Sequence, residues 1–276
     1  MVKWAGGKAG LLSELLPLVP DTVERYIEPF AGGAALFFAL AAQAPRRFKK
    51  ALLADTNADL IALYRSLQSD PDALIESLAQ YHHDEDLYYA TRDRDPNEMS
   101  EVERAARLVF LNRTCFNGLW RVNSKGKFNV PFGRYANPKI LDEPRLRNAA
   151  AALKRATLQH GDFERVSAKA KPGDFVYFDP PYLPVSRTAN FTAYGSDGFG
   201  ADEQERLLRE LVRLRALKVR AVLSNADTAE ARALYKGFAM KVVHMRRPIN
   251  RDIKKRGHVG ELLVMTWGKR GIEEAQ

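Results

Sequence analysis

Cysteine is almost absent from this chain. Cys115 is the only one in 276 residues, so no intrachain disulfide and no thiolate metal cage can form, as befits a cytosolic protein. Long apolar runs are missing too. The longest, Ala34 to Ala42, falls far short of the roughly 18 to 20 residues that cross a bilayer, so no membrane contact is expected. Lys3, Lys8 and Glu14 interrupt the stretch where a signal peptide would carry its apolar region, which predicts a cytoplasmic protein. No Ser-His-Asp arrangement stands out. The neighbouring His82 and His83, with Asp84 and Asp86, cannot easily chelate one ion, so that acidic stretch reads as solvated and no metal is expected.

What is present is a globular composition, 46% hydrophobic and 28% charged, with a net charge of +9. The charge is unevenly spread. Asp59 to Glu103 holds 12 acids against 3 bases, and Arg104 to Arg155 holds 12 bases against 2 acids. A second basic stretch, Lys241 to Arg256, has 7 bases against Asp252 alone. Charge by itself leaves nucleic-acid binding and a plain solvated face evenly matched.

Tyr26-Ile27, the Glu28 to Gly33 turn and the apolar run to Leu40 read as strand, glycine turn and helix. Leu52 to Ala54 reads as a second strand ending at Asp55, followed by a helix to Leu67. Asp174 to Asp179 predicts a strand stopped by Pro180-Pro181, Asp202 to Leu217 an amphipathic helix, and Val219 to Ser224 a further strand. Lys241 to Met245 and Glu261 to Trp267 read as a closing antiparallel pair. The expectation is an α/β fold, a Rossmann-like doubly wound sheet with an antiparallel last strand, built from residues 1–57 and 142–276. Residues 58–141 are expected as an inserted, mainly helical unit ending in a β-hairpin.

Asp179-Pro180-Pro181-Tyr182 is the strongest chemical signal. An amino group on an aromatic base is a poor nucleophile because its lone pair is delocalised into the ring. Two acceptors for its hydrogens, the Asp179 carboxylate and the Pro180 carbonyl, favour a pyramidal nitrogen that can attack a methyl donor, while Tyr182 offers a stacking face. A rigid turn is the blander reading of the bare tetrapeptide. Glu28 to Gly33 lets a ligand approach the backbone at a helix start but lacks the full dinucleotide spacing. Asp55, about twenty residues on, suits a ribose or equally a helix cap before Asn57. The segment Lys3-Trp4-Ala5-Gly6-Gly7-Lys8 is not a P-loop; Lys8 could meet a carboxylate, or the segment could be a plain basic terminus.

Between Leu111 and Tyr135, Arg, Asn, Gly and aromatics alternate without a helical apolar stripe, which suits a base-reading hairpin. Arg121 matches a guanine edge, Asn117 a base, and Phe116 a wedge. Lys125, Lys127 and Arg134 suit phosphates, and Asn123, Asn129 and Tyr135 lie on the same segment.

These pieces occur in one order: Lys3 to Lys8, Glu28 to Gly32, Ala54 to Asn57, Asn112 to Tyr135, Asp179 to Tyr182, Thr188 to Tyr194 and Leu223 to Thr228. In that order the chain resembles the Dam-type, D12-class DNA adenine-N6 methyltransferases over nearly its whole length. The resemblance implies S-adenosylmethionine as methyl donor and duplex DNA as partner, acting as a monomer and turning the target adenine out of the helix. It places Trp4, Gly7 and Lys8 at the donor's methionine end. Glu28, Pro29, Phe30, Ala31 and Gly32 run along it, Asp55 takes its ribose, and Asp162 and Phe163 take its adenine. Asp179, Pro180, Pro181 and Tyr182 form the catalytic group, and Phe191 and Tyr194 seat the target base. Lys3, Leu119, Pro131 and Arg121 match base contacts of GATC-reading members and Asn117 a contact at the target pair, so GATC is the expected site. Phe116 replaces the usual Tyr and Ala226 a common His. An RNA or protein amino-group methylase, or an idle DNA-binding homologue, stays open as an alternative.

Overall fold

The computed structural model describes residues 2–4, 6–182, 199–245, 259–269 and 271–274. In chain order the elements are α1 (Leu12–Leu15), β1 (Val23–Glu28), α2 (Ala35–Ala41), β2 (Phe48–Asp55), α3 (Ala58–Ser69), α4 (Pro71–Ala79), α5 (Glu85–Asp93), α6 (Glu101–Thr114) and α7 (Glu143–Leu153). They continue with β3 (Ala156–His160), α8 (Phe163–Ser167), β4 (Phe175–Phe178), α9 (Ala201–Ala216), β5 (Arg220–Ala226), α10 (Ala229–Leu234), β6 (Ala239–Met245), β7 (Val259–Met265) and β8 (Gly271–Glu274).

One eight-stranded sheet runs β3-β2-β1-β4-β5-β7-β6-β8. Its first five strands are parallel, and β7 is antiparallel to both β5 and β6. The strand order reverses between β1 and β4, which opens a crevice outside their carboxyl ends. This is the expected Rossmann-like sheet with two refinements. The antiparallel strand lies inside the sheet, between β5 and β6. The edge strand β8, parallel to β6, was not foreseen, because Gly271-Ile272-Glu273-Glu274 carries a single apolar residue and no alternation.

Both faces of β4 are buried, so its sequence Phe175-Val176-Tyr177-Phe178 is a continuous apolar run. On β4, Phe175 and Tyr177 face one core with Tyr26, Phe37 and Phe48, while Val176 and Phe178 face the other with Leu207, Leu211 and Tyr235. The second core is covered by α8, α9 and α10. The first extends without a break from the sheet through Leu60, Tyr64 and Leu67 of α3 to Tyr88, Phe110, Trp120 and Val130. Residues 58–141 therefore share the core of one sheet face.

The helices here start where side chains satisfy free backbone N–H groups: Asn57, Asp70 and Asp84 cap α3, α4 and α5, and Ser100 with Glu103 forms a capping box on α6. Caps and internal pairs absorb much of the charge asymmetry seen in the sequence. Arg104 pairs with Asp59, Arg147 with Asp72 and Glu143, and Lys139 with Asp142. Arg107 is buried, donating to the carbonyls of Thr91 and Arg92. Of that basic block, Arg121, Lys125, Lys127 and Arg134 of the hairpin face solvent, as do Arg145, Lys154 and Arg155.

Candidate active site

Parallel strands deliver their last residues to one rim. Glu28 ends β1, Asp55 ends β2, and Asp179 follows β4 directly. β7 runs the other way, so its early residue Glu261, paired in register with Ala226 and Val243, reaches the same rim. Glu261 was missed in the sequence because an acid near the start of a strand looks peripheral until the strand's direction is known.

The Lys8 ammonium lies 2.8 Å from Asp179 Oδ1 and 3.2 Å from Glu261 Oε1, with only 6% of its side chain exposed. It also donates to the Gly6 carbonyl at 2.9 Å and sits 4.5 Å from the centre of the Tyr182 ring. The Tyr182 hydroxyl donates to Glu261. Asp179, Tyr182 and Lys8 thus come together, with Glu261 as a fourth member. Lys8 engages these carboxylates, a pairing its assignment to the methionine end did not foresee.

Burial pushes the carboxyl pKa values of Asp179 and Glu261 up, and Lys8 only partly offsets this. Burial would lower the Lys8 ammonium, but the two carboxylates outweigh it and hold it above its ordinary value. Glu28, 2% exposed and bonded by the Tyr26 hydroxyl at 3.0 Å, is raised well above the carboxylate range by burial, with Asp179 and Asp55 adding to the effect. Asp55 is raised by burial against the backbone N–H groups of Asn57 and Gly32 that bond its two oxygens at 2.8 and 2.9 Å. Any ribose contact shares those oxygens.

Gly32 adopts φ +46°, and a Cβ there would stand 2.8 Å from Trp4 Cδ1, so only glycine lets the loop close against the tryptophan. Next to the loop, Phe30 stacks on Phe163 at 5.3 Å, and Phe199 closes the group edge-on to Phe30 at 5.6 Å. Asp162 caps α8 and pairs with Arg206 at 2.8 Å, and the Arg206 guanidinium covers Phe163. Phe199 was also missed, since it lies far from the other two in sequence. The Pro181 carbonyl accepts a 3.4 Å bond from buried Gln204, whose own oxygen accepts from Asn225 and Tyr235.

A second cluster joins the N-terminal segment to the hairpin. Asn112, wholly buried, accepts from the Lys3 N–H and donates to the Lys3 carbonyl, both at 2.7 Å, and donates to the Gly118 carbonyl at 3.1 Å. Gly118, at φ +64°, has no room for a Cβ beside Lys3 Cδ, which would be 2.5 Å away. Trp4 stacks on Trp120 at 6.1 Å. The hairpin is held by bridges between Cys115 and Phe132 and between Val122 and Phe128.

Phe116 and Leu119 are 52% and 41% exposed, and Asn117, Arg121, Pro131, Arg134 and Lys3 are exposed around them. Asn129 holds Arg121 by one edge, with Nε 2.8 Å from its side-chain oxygen. Asn123 turns its oxygen inward to the N–H groups of Lys125 and Lys127, so it shapes the turn. The Tyr135 hydroxyl is buried without a hydrogen-bond partner among the described residues, and the ring lies 5.5 Å from the Lys3 ammonium. Phe191, Tyr194 and most of the Lys241 to Arg256 stretch lie outside the described residues; Lys241 itself pairs with Glu14 at 2.8 Å. Asp84 is spent as a helix cap, and His83 stacks on Phe132 at 4.6 Å.

Comparison with known proteins bears on the same residues. The sequence pattern of the D12 class N6 adenine-specific DNA methyltransferases matches residues 4–249. A type II methyltransferase of Lactococcus lactis subsp. cremoris is 41% identical over 96% of this chain and 94% of its own length. One from Methanocaldococcus jannaschii is 40% identical over 96% and 98%. A DNA adenine methylase of Vibrio cholerae is 35% identical over 96% and 94%.

Proposed function

Because the chain belongs to the D12 class N6 adenine-specific DNA methyltransferases, we propose that it methylates the adenine of GATC in duplex DNA, using S-adenosylmethionine, by turning the base out of the helix. The observation that carries this reading is the meeting of Asp179 and Tyr182 with the glycine loop at one rim of the sheet. It acts as a monomer.

The donor fits the site's chemistry. Glu28, Asp55, Asp179 and Glu261 lie at the rim and Lys8 pairs with the last two, leaving a setting that favours a positively charged ligand. Phe30, Phe163 and Phe199 offer flat faces for a purine, and Asp55 lies beside them for hydroxyls. When bound, S-adenosylmethionine supplies a methyl group made electrophilic by its sulfonium charge. The protein contributes alignment and acceptors. Asp179 accepts a hydrogen bond from the target amino group, Tyr182 holds the base by stacking, and Gln204 fixes the Pro181 backbone beside them.

On the hairpin, exposed Arg121, Asn117, Leu119 and Pro131 suit base edges, with Phe116 as a wedge and Lys125, Lys127 and Arg134 on phosphates. Arg121→Ala is expected to lose about 1 to 3 kcal/mol of discrimination at one guanine, seen as relaxed methylation of duplexes altered at that position. An unchanged preference would remove Arg121 from the reading set.

The raised carboxylates give a signed pH effect. In the free protein, groups whose pKa rises on folding stabilise it at low pH, and that contribution is lost as the pH climbs through the raised values. A cationic ligand favours their ionised forms and so expels protons. Donor affinity is expected to rise with pH above the ordinary carboxylate range, as these raised carboxyls ionise, with a calorimetric enthalpy that depends on the buffer. A flat profile in all buffers would count against an acid-lined donor site.

The direct test is expression in a methylation-free host followed by modification-sensitive sequencing of its DNA. N6-methyladenine confined to GATC is the expected result; methylation elsewhere would refute the target, and none would refute the activity.

A further inference from the structure

We propose that Lys8 occupies the place of the target amino group at Asp179 in the free enzyme, and that Glu261 is the positioning residue that receives its ammonium when the base arrives. This rests on the assignment of Asp179 as acceptor for that amino group.

The geometry has two parts. Lys8 already makes, at 2.8 Å, the N–H to Asp179 Oδ1 bond that an incoming amino group needs, and its ammonium covers the Tyr182 ring on which the base would stack. A base can therefore dock only if Lys8 moves. A lysine this buried does not shed its counter-charge cheaply, since removing one partner of a buried pair leaves an uncompensated charge. Glu261, 8% exposed and 3.2 Å from the same nitrogen, provides the second partner, and the Gly6 carbonyl at 2.9 Å steadies the ammonium throughout. A small shift toward Glu261 frees Asp179 while keeping the charge paired. The Tyr182 hydroxyl is bonded to Glu261, so the stacking ring stays anchored during the exchange.

The test compares wild type, Glu261→Gln, Glu261→Asp and the double variant Glu261→Gln with Lys8→Met. Each is assayed as the full chain in single-turnover methylation of a GATC duplex at saturating S-adenosylmethionine, with duplex affinity followed by anisotropy. Glu261→Gln keeps an acceptor for Tyr182 but strands Lys8 on Asp179, so its transfer rate should fall about tenfold or more while duplex affinity stays within about twofold of wild type. Removing Lys8 in that background should raise the rate again, and Glu261→Asp, which keeps the charge, should stay nearer wild type than the glutamine. A Glu261→Gln enzyme as fast as wild type, a double variant slower than Glu261→Gln alone, or an aspartate variant slower than the glutamine would each overturn the exchange while leaving Asp179 as acceptor. A wild type that transfers no methyl group to DNA of any sequence would remove the Asp179 assignment and this inference with it.

Discussion

Asp179→Ala should abolish methyl transfer and leave duplex binding close to wild type. The hairpin surface that carries Arg121, Phe116 and Leu119 is built from a different part of the chain, so the two functions separate in this variant. Loss of a preorganised group aimed at a reacting atom costs about 10² to 10³ in rate, and in the proposed role the same carboxylate also orients the nucleophile, so the effect should lie at or beyond that range. Stability should change little. Burial already holds the Asp179 carboxyl above its usual pKa, so the charge is a burden on the fold, and Lys8 keeps Glu261 after the substitution. The measurement is tritiated methyl incorporation beside anisotropy at one fixed salt concentration. Turnover within about tenfold of wild type would remove Asp179 from the chemistry.

Asn112→Ala is expected to damage the fold although the side chain touches neither expected ligand. The side chain is wholly buried and bonds the N–H and carbonyl of Lys3 and the carbonyl of Gly118. Its removal leaves the buried Gly118 carbonyl and the partly buried N–H and carbonyl of Lys3 without this partner, so a loss of about 2 to 3 kcal/mol is expected in urea unfolding. The same bonds hold Lys3 beside the hairpin, so target discrimination should fall with stability. An unfolding midpoint matching wild type would mean the segment docks by other contacts, such as Trp4 on Trp120.

The parallel half of the sheet was legible because its strands are short apolar runs closed by Glu28, Asp55 and Asp179, a pattern that needs no long-range information. The exposed hairpin residues were legible for the opposite reason, since Phe116 and Leu119 among Asn and Arg make no sense as core. What the sequence withheld depends on partners distant along the chain. Glu261 becomes a site residue only because β7 is antiparallel, Asn112 only because Lys3 folds back onto it, and Phe199 only because it packs on Phe30. Charge counting misled in one respect. The basic block beginning at Arg104 spends several of its members on Asp59, Asp72, Asp142 and Glu143 and on buried carbonyls, leaving a smaller basic surface than the sum implied.

The unbroken core from the sheet through α3 to Tyr88 and Phe110 sets a limit on modularity. Residues 58–141 cannot be exchanged between relatives as a cassette without tearing apart packing that the catalytic sheet itself relies on, and a chain lacking them should not fold. The hairpin tip is different. Within residues 116–131 Trp120, Phe128 and Val130 belong to that core, and it is the outward side chains of Phe116, Asn117, Leu119 and Arg121 that bear little of the structure. Changes that aim to alter which sequence is read should therefore be confined to those outward side chains, where specificity can drift without renegotiating the fold.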